Sequence, residues 1–386
     1  MSQPALENEL DTVPAPEVVR PGELTAHRAS LPALTGIRFL AAMYIVFYHS
    51  KLSGFLTTHG LTPAGNIIAN GQLAVLLFFV LSGFILSYTY EGQIERWPQK
   101  RRFWEARVAR IWPLYLFSLL CSSLANHTTP RLSYAVATLF MVQAWSPTNV
   151  GMAASWNFVC WTLSTEVLFY LIFPPVQAWL ERRSSVVQAS ALAVAMSIGI
   201  AFATGSISYS DTHGIRHIPL AVLHIPDFLI GVCLGNLYLR RRAAARREGL
   251  TGPLLPGRGL FTWLAILSSF YLLSHLGSRY TTWTEATFAA IIFGLAIERS
   301  WAQRFLASHA LRIGGQISYG IYLLQWPCKA VVNLLCTHLH IMSSNARTFI
   351  DCVALILLST ATFYGIEEPA RRLIRSGFSR LERRRA

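Results

Sequence analysis

From residue 31 onward the chain alternates long apolar runs with short polar ones. The runs fall at about 33–51, 66–90, 111–125, 160–180, 185–204, 218–239, 258–276, 283–298, 313–336 and 346–366. Most reach the roughly 17–25 residues that a membrane-spanning helix needs at about 1.5 Å per residue. The pattern predicts an all-α, polytopic transmembrane helical bundle of about ten spans. Residues 133–145 form a further apolar stretch whose nature the pattern alone does not decide.

Charge decides it. With ten spans and the N-terminus inside, 24 lysines and arginines face the cytoplasm and five (Lys51, Arg131, Arg216, Arg279 and Arg347) face outward. That asymmetry follows the positive-inside rule and puts both termini in the cytoplasm. An eleventh span at 133–145 would turn the basic run RRRAAARR (240–247) outward, so 133–145 is read as an interfacial or re-entrant helix.

Composition agrees. The 386 residues are 53% hydrophobic and 13% charged, against about 25% charged in soluble domains. The net charge of +14 lies in loops between spans, and no aromatic-basic patch accompanies it, so no nucleic-acid partner is expected; the partner surface is the lipid bilayer. Residues 1–30 hold Pro4, Pro14, Pro16 and Pro21, five acids and two arginines, and no apolar run. They read as a disordered cytoplasmic tail and not a signal peptide. A transmembrane domain over 31–372 and a basic cytoplasmic tail over 373–386 complete the organisation. Six cysteines (121, 160, 233, 328, 336 and 352) show no paired or zinc-type spacing. They read as small apolar residues, and no metal is expected.

Chemistry concentrates where polar groups enter the apolar runs. Arg38 and His49 are eleven residues apart in the first run, roughly three helical turns, so they share one face about 16 Å apart. A charged residue in a span faces the protein interior or a wet cavity and marks a pathway; snorkelling to the interface is the alternative for Arg38. Glu166, Ser164, Asp227 and Tyr319 also fall in or beside spans. His224 is the local partner of Asp227, and the small pair Ser82 and Gly83 suits close helix approach.

Several stretches, in order, carry a resemblance. They are Arg38-x10-His49, LLFFVLSGFIL (76–86), RFWEARVARIWPLY (102–115), WTLSTEVLFYLIFP (161–174), HIPDFLIGVCLG (224–235), ISYGIYLLQWP (317–327) and EEPARR (367–372). Together they resemble the acyltransferase 3 family of integral-membrane acyltransferases. Gln325 stands where many members have His, Asp227 where many have Glu, and His224 where many have Arg.

The resemblance implies an O-acyltransferase of the bacterial inner membrane. It would move an acyl group, commonly acetyl, from cytoplasmic acyl-CoA to a hydroxyl of an envelope or exported carbohydrate such as O-antigen or exopolysaccharide. Small-molecule acceptors remain open. Arg38, Arg107 and Arg110 would then bind the donor phosphates. His49 would be the general base, with Glu166 orienting it or merely suiting the start of its helix. Ser164 would bind the acceptor or cap its helix; Tyr319 and Asp227 would line the substrate cavity. A transporter or flippase that moves a glycan or acyl group without forming a bond is the alternative.

Overall fold

A computed structural model of the protein describes residues 31–126, 130–146, 150–203, 218–250, 252–255, 258–275, 278–341 and 343–374. The expected tail over 1–30 lies outside the described residues, as does the basic tail beyond 374.

Among the described residues there is no strand, and ten helices of 14 residues or more stand one at each apolar run. They are α1 (Pro32–Tyr48), α2 (Ala74–Tyr90), α3 (Trp97–Asn126), α4 (Trp161–Glu181), α5 (Ser185–Ala203), α6 (Ile225–Arg247), α7 (Leu260–Leu273), α8 (Ser278–Ile297), α9 (His309–His338) and α10 (Ser344–Thr362). Of these, α2, α3, α4, α6 and α10, with their flanking turns, are long and apolar enough to cross a membrane. α1 joins them when counted with Leu52–Thr58, from which it is bent by 71°. The described residues are thus those of an all-helical, multi-pass membrane protein, with five or six candidate spans among them.

The remaining helices depart from the simple pattern for visible reasons. α5, α7 and α8 carry shorter apolar stretches. α9 has 30 residues but carries Gln325 and Lys329 in its interior and Asn333 nearer its C-terminal end, and much of its length is packed against other helices. Residues 132–139 form a helix of eight residues, about 12 Å long and well short of a hydrocarbon core of about 30 Å.

One expectation is corrected in detail. The sequence pattern puts Arg107 and Arg110 in a loop, whereas α3 begins at Trp97 and carries both on its first turns. Arg101 pairs with Glu105 four residues on at 2.7 Å, and Phe103 is buried, so this basic segment is an amphipathic helical extension of the span.

Two close crossings fix the bundle. A Cβ on Gly231 of α6 would lie 1.9 Å from the Val80 carbonyl oxygen of α2, and one on Gly315 of α9 would lie 1.9 Å from the Thr35 oxygen of α1. Only glycine admits backbones that near, which is how helices associate where lipid removes the hydrophobic drive. Gly83 faces Phe228 and Gly231 in the first crossing, as its small size suggests. A buried network of Ser87, Gln177 and Asn236 ties α2, α4 and α6 together.

Candidate active site

One face of α9 organises the site. Ser318, Tyr322, Gln325, Lys329 and Asn333 recur every three or four residues, the spacing of a single helical stripe. From Ser318 to Asn333 the stripe runs about 23 Å along the axis.

At the N-terminal end of the stripe lie two narrow cavities that share Arg38, Phe78, Glu166 and Tyr319. One, of about 50 Å³, adds Thr162, Ser318 and Tyr322. The other, of about 60 Å³, adds Arg107, Arg110 and Tyr170. Three arginines that the sequence separates by up to 72 positions thus meet around one slot, and Arg38 points into it instead of snorkelling.

Arg107 is held in place by aromatic rings. Its guanidinium lies 5.6, 5.8 and 5.9 Å from the ring centres of Tyr90, Phe103 and Tyr170, and it donates to Tyr90 Oη at 3.2 Å. The Nε groups of Arg38 and Arg107 are buried with no hydrogen-bond partner. A buried N–H without a partner is costly, and an anionic ligand would satisfy both. Tyr170 Oη donates to Glu166 Oε2 at 2.9 Å, and Tyr319 Oη donates to the Ile111 carbonyl at 2.9 Å.

Half-way along the stripe sits His49, in the break between α1 and Leu52–Thr58. Gln325 Nε2 donates to the Tyr322 carbonyl at 2.8 Å, which leaves Gln325 Oε1 as the acceptor facing His49 Nδ1 at 2.8 Å. In its neutral form the imidazole therefore carries its proton on Nδ1, and Nε2 keeps the lone pair. Tyr48, Trp326 and Phe158 surround the ring, with centroids 4.9, 5.3 and 6.2 Å away. Lys329 Nζ donates to the His49 carbonyl.

The other expected residues are placed as follows. Glu166 lies with Arg38 on the cavity side, so the group on His49 Nδ1 is Gln325 and not Glu166. Ser164 is fully buried; its hydroxyl accepts from Ala144 N at 3.1 Å, and its carbonyl accepts from Trp145 Nε1. It neither caps α4, which starts at Trp161, nor lines either cavity. Asp227 Oδ2 is 2.7 Å from His224 Nδ1, as their spacing suggests; Asp227 is buried and lines neither cavity.

Sequence reasoning missed Glu367, buried on a π-helical turn (Phe363–Glu367) within electrostatic reach of Arg110, Arg371 and Arg38. Its place in EEPARR was the available signal. It also missed Glu285, whose burial beside Asp227 nothing in TTWTEATF announces.

Comparison with known proteins matches residues 31–365 to the acyltransferase 3 model, described as an acyltransferase domain. Acyltransferase MdmB of Streptomyces mycarofaciens is 35% identical over 153 residues, 37% of this chain and 38% of that protein. Exopolysaccharide production protein ExoZ of Rhizobium meliloti is 26% identical over 333 residues, 83% of this chain and 95% of ExoZ. O-acetyltransferase OatA of Staphylococcus aureus is 24% identical over 339 residues, 78% of this chain and 51% of OatA. The match therefore covers nearly all of ExoZ, about half of OatA and less of MdmB. No solved structure matches.

Proposed function

Because the chain belongs to the acyltransferase 3 family, we propose that it is an inner-membrane O-acyltransferase with ten spans and cytoplasmic termini. The donor is acyl-CoA, with acetyl as the acyl group, and it enters from the cytoplasmic side. The acceptor is a hydroxyl of an exported or envelope carbohydrate. The name of ExoZ, the relative matched over most of both chains, supports an exopolysaccharide-like acceptor.

In this reading Arg107, Arg110 and Arg38 bind the donor's phosphates, Arg107 preset by its three aromatic rings. The donor's extended arm follows the α9 stripe past Tyr319 and Tyr322, so that its thioester arrives at His49, about 16 Å from Arg38 along α1. His49 Nε2 takes the proton as the acceptor oxygen attacks the thioester carbonyl. The carbon–sulfur bond breaks, and the imidazolium returns its proton to the leaving thiolate. Gln325 keeps the imidazole in the competent tautomer by accepting from Nδ1 throughout. Glu166 and Tyr319 act at the donor slot, where Glu166 and Tyr170 help to position Arg38.

The observation that carries this reading is the hydrogen bond between His49 Nδ1 and Gln325 Oε1, which leaves Nε2 free to act as a base. The test is glycan mass spectrometry on the host envelope, comparing wild type, a deletion strain and His49→Ala. Loss of one fixed mass increment in both mutants is expected. An unchanged glycan in His49→Ala, at normal protein level, would remove His49 from the chemistry.

A further inference from the structure

A polar pocket of about 400 Å³ opens at the C-terminal end of the α9 stripe, and no residue given a role above lines it except Lys329 and Asn333. The volume lies within the roughly 300–1,000 Å³ of ordinary ligand sites. Three elements build it. The break after His49 gives Ser50 and Lys51, α9 gives Lys329 and Asn333, and α10 gives Ser344, Arg347, Thr348 and Asp351. The α10 residues fall at i, i+3, i+4 and i+7, one polar face at the start of an otherwise apolar helix.

Its charge is lopsided. Lys51, Lys329 and Arg347 face a single carboxylate, Asp351, whose field acts on Lys329. Among the described residues Lys51 has no ion-pair partner, and Arg347 is steadied through Nε, which donates to the Ile341 carbonyl at 2.7 Å. Lys329 lies 5.4 Å from the Trp326 ring centre while reaching the His49 carbonyl, so it links this pocket to the base. The first turn of α10 adds the positive end of a 19-residue helix dipole. The outward side carries only five cations in the proposed orientation. Two of them converge here with a lysine from within a span, where a cation is expensive unless it has a task.

We propose that this pocket is the acceptor site and that the acceptor is an acidic carbohydrate, one that bears a carboxylate or a phosphate near the hydroxyl to be acylated. The assignment rests on the acyl-transfer reading and narrows its acceptor. A cationic amino sugar is disfavoured by two net positive charges, and a neutral glycan would leave them unbalanced. Lys51, Lys329 and Arg347 hold the anion, Asn333, Ser344 and Thr348 meet sugar hydroxyls, and Lys329 sets the distance from the anion to His49.

The test uses the full chain in nanodiscs of neutral lipid and measures binding of trigalacturonate, galactose 6-phosphate, trigalactose and inorganic phosphate. Trigalacturonate or galactose 6-phosphate is expected to bind at least about tenfold tighter than trigalactose and than inorganic phosphate, and which of the two binds tells carboxylate from phosphate. Lys51→Gln and Arg347→Gln, made separately, are each expected to weaken that binding about tenfold, and Asn333→Asp to weaken it as well. Lys51 is exposed, so its variant keeps the test valid if Arg347→Gln misfolds. Equal binding of trigalactose, equal binding of inorganic phosphate, or indifference to both charge removals would overturn the proposal. Thiol release from acetyl-CoA by the wild-type protein is followed in parallel. Its absence, with charge-dependent binding intact, would sink acyl transfer while leaving an anionic-glycan site.

Discussion

Gln325 Oε1 sits 2.8 Å from His49 Nδ1, while the amide nitrogen of the same Gln325 is committed to the Tyr322 carbonyl. The side chain cannot flip without losing that bond, so one glutamine fixes one tautomer. Gln325→Leu is expected to lower kcat by about tenfold or more, the effect of about 1.4 kcal/mol, with little change in the donor's KM. Gln325→His offers a ring nitrogen as acceptor and is expected to keep most of the rate. Steady-state thiol release checks both, and a Gln325→Leu enzyme of normal kcat would show that tautomer control is not needed.

Arg107 is expected to act on the donor and not on the chemistry. Arg107→Ala should raise the KM for acyl-CoA by about tenfold or more, since a charge-assisted hydrogen bond contributes roughly 1.5–3 kcal/mol. Arg107→Lys should recover little, because a lysine lacks the planar fork that lies among Tyr90, Phe103 and Tyr170. Donor titrations at saturating acceptor separate KM from kcat, and an effect confined to kcat would contradict donor binding.

Gly231→Ala should abolish the folded protein, because its Cβ would press into the Val80 carbonyl at 1.9 Å and helix backbones offer no flexible end to move. Gly54→Ala is the control, since nothing lies within 4 Å of a Cβ there. Monodispersity on size-exclusion chromatography after mild detergent extraction reads the difference. A stable Gly231→Ala protein would mean that α2 and α6 cross less tightly than described.

The proposed orientation makes a separate claim. A cysteine at Asn333, exposed near the C-terminal end of α9, should react with a membrane-impermeant maleimide in spheroplasts. A cysteine at Arg241, exposed in the basic end of α6, should react only after lysis. Labelling of both from one side would break the ten-span arrangement.

Much of the fold was legible because lipid allows few choices. Apolar runs had to become helices, and all ten long helices lie where the runs are. What the pattern missed was polar sequence that is nevertheless helical. Residues 97–110 looked like a loop because they are basic, yet they continue α3 through internal pairing and the burial of Phe103. In the candidate site, Arg38, Arg107 and Arg110 come together as the resemblance grouped them, whereas Glu166, expected beside His49, joins them at the slot with Tyr319. The partner of His49 was not legible, because Gln325 reads as a departure from a histidine and not as a group with its own work. Ser164 misled for a different reason: its hydroxyl serves Ala144 in a neighbouring turn, a tertiary contact that no local spacing encodes.

The narrowness of the two cavities beside Arg38 has a consequence for the cell that holds this protein. At about 50 and 60 Å³ they have room for at most a few water molecules; Phe78 and Tyr319 line both, and Tyr322 lines the smaller. A path lined by arginines and open to water on both faces would leak ions and run down the proton gradient. In the proposed orientation these rings would act as a gasket that closes the slot between turnovers, so that the protein would not short-circuit an energised membrane.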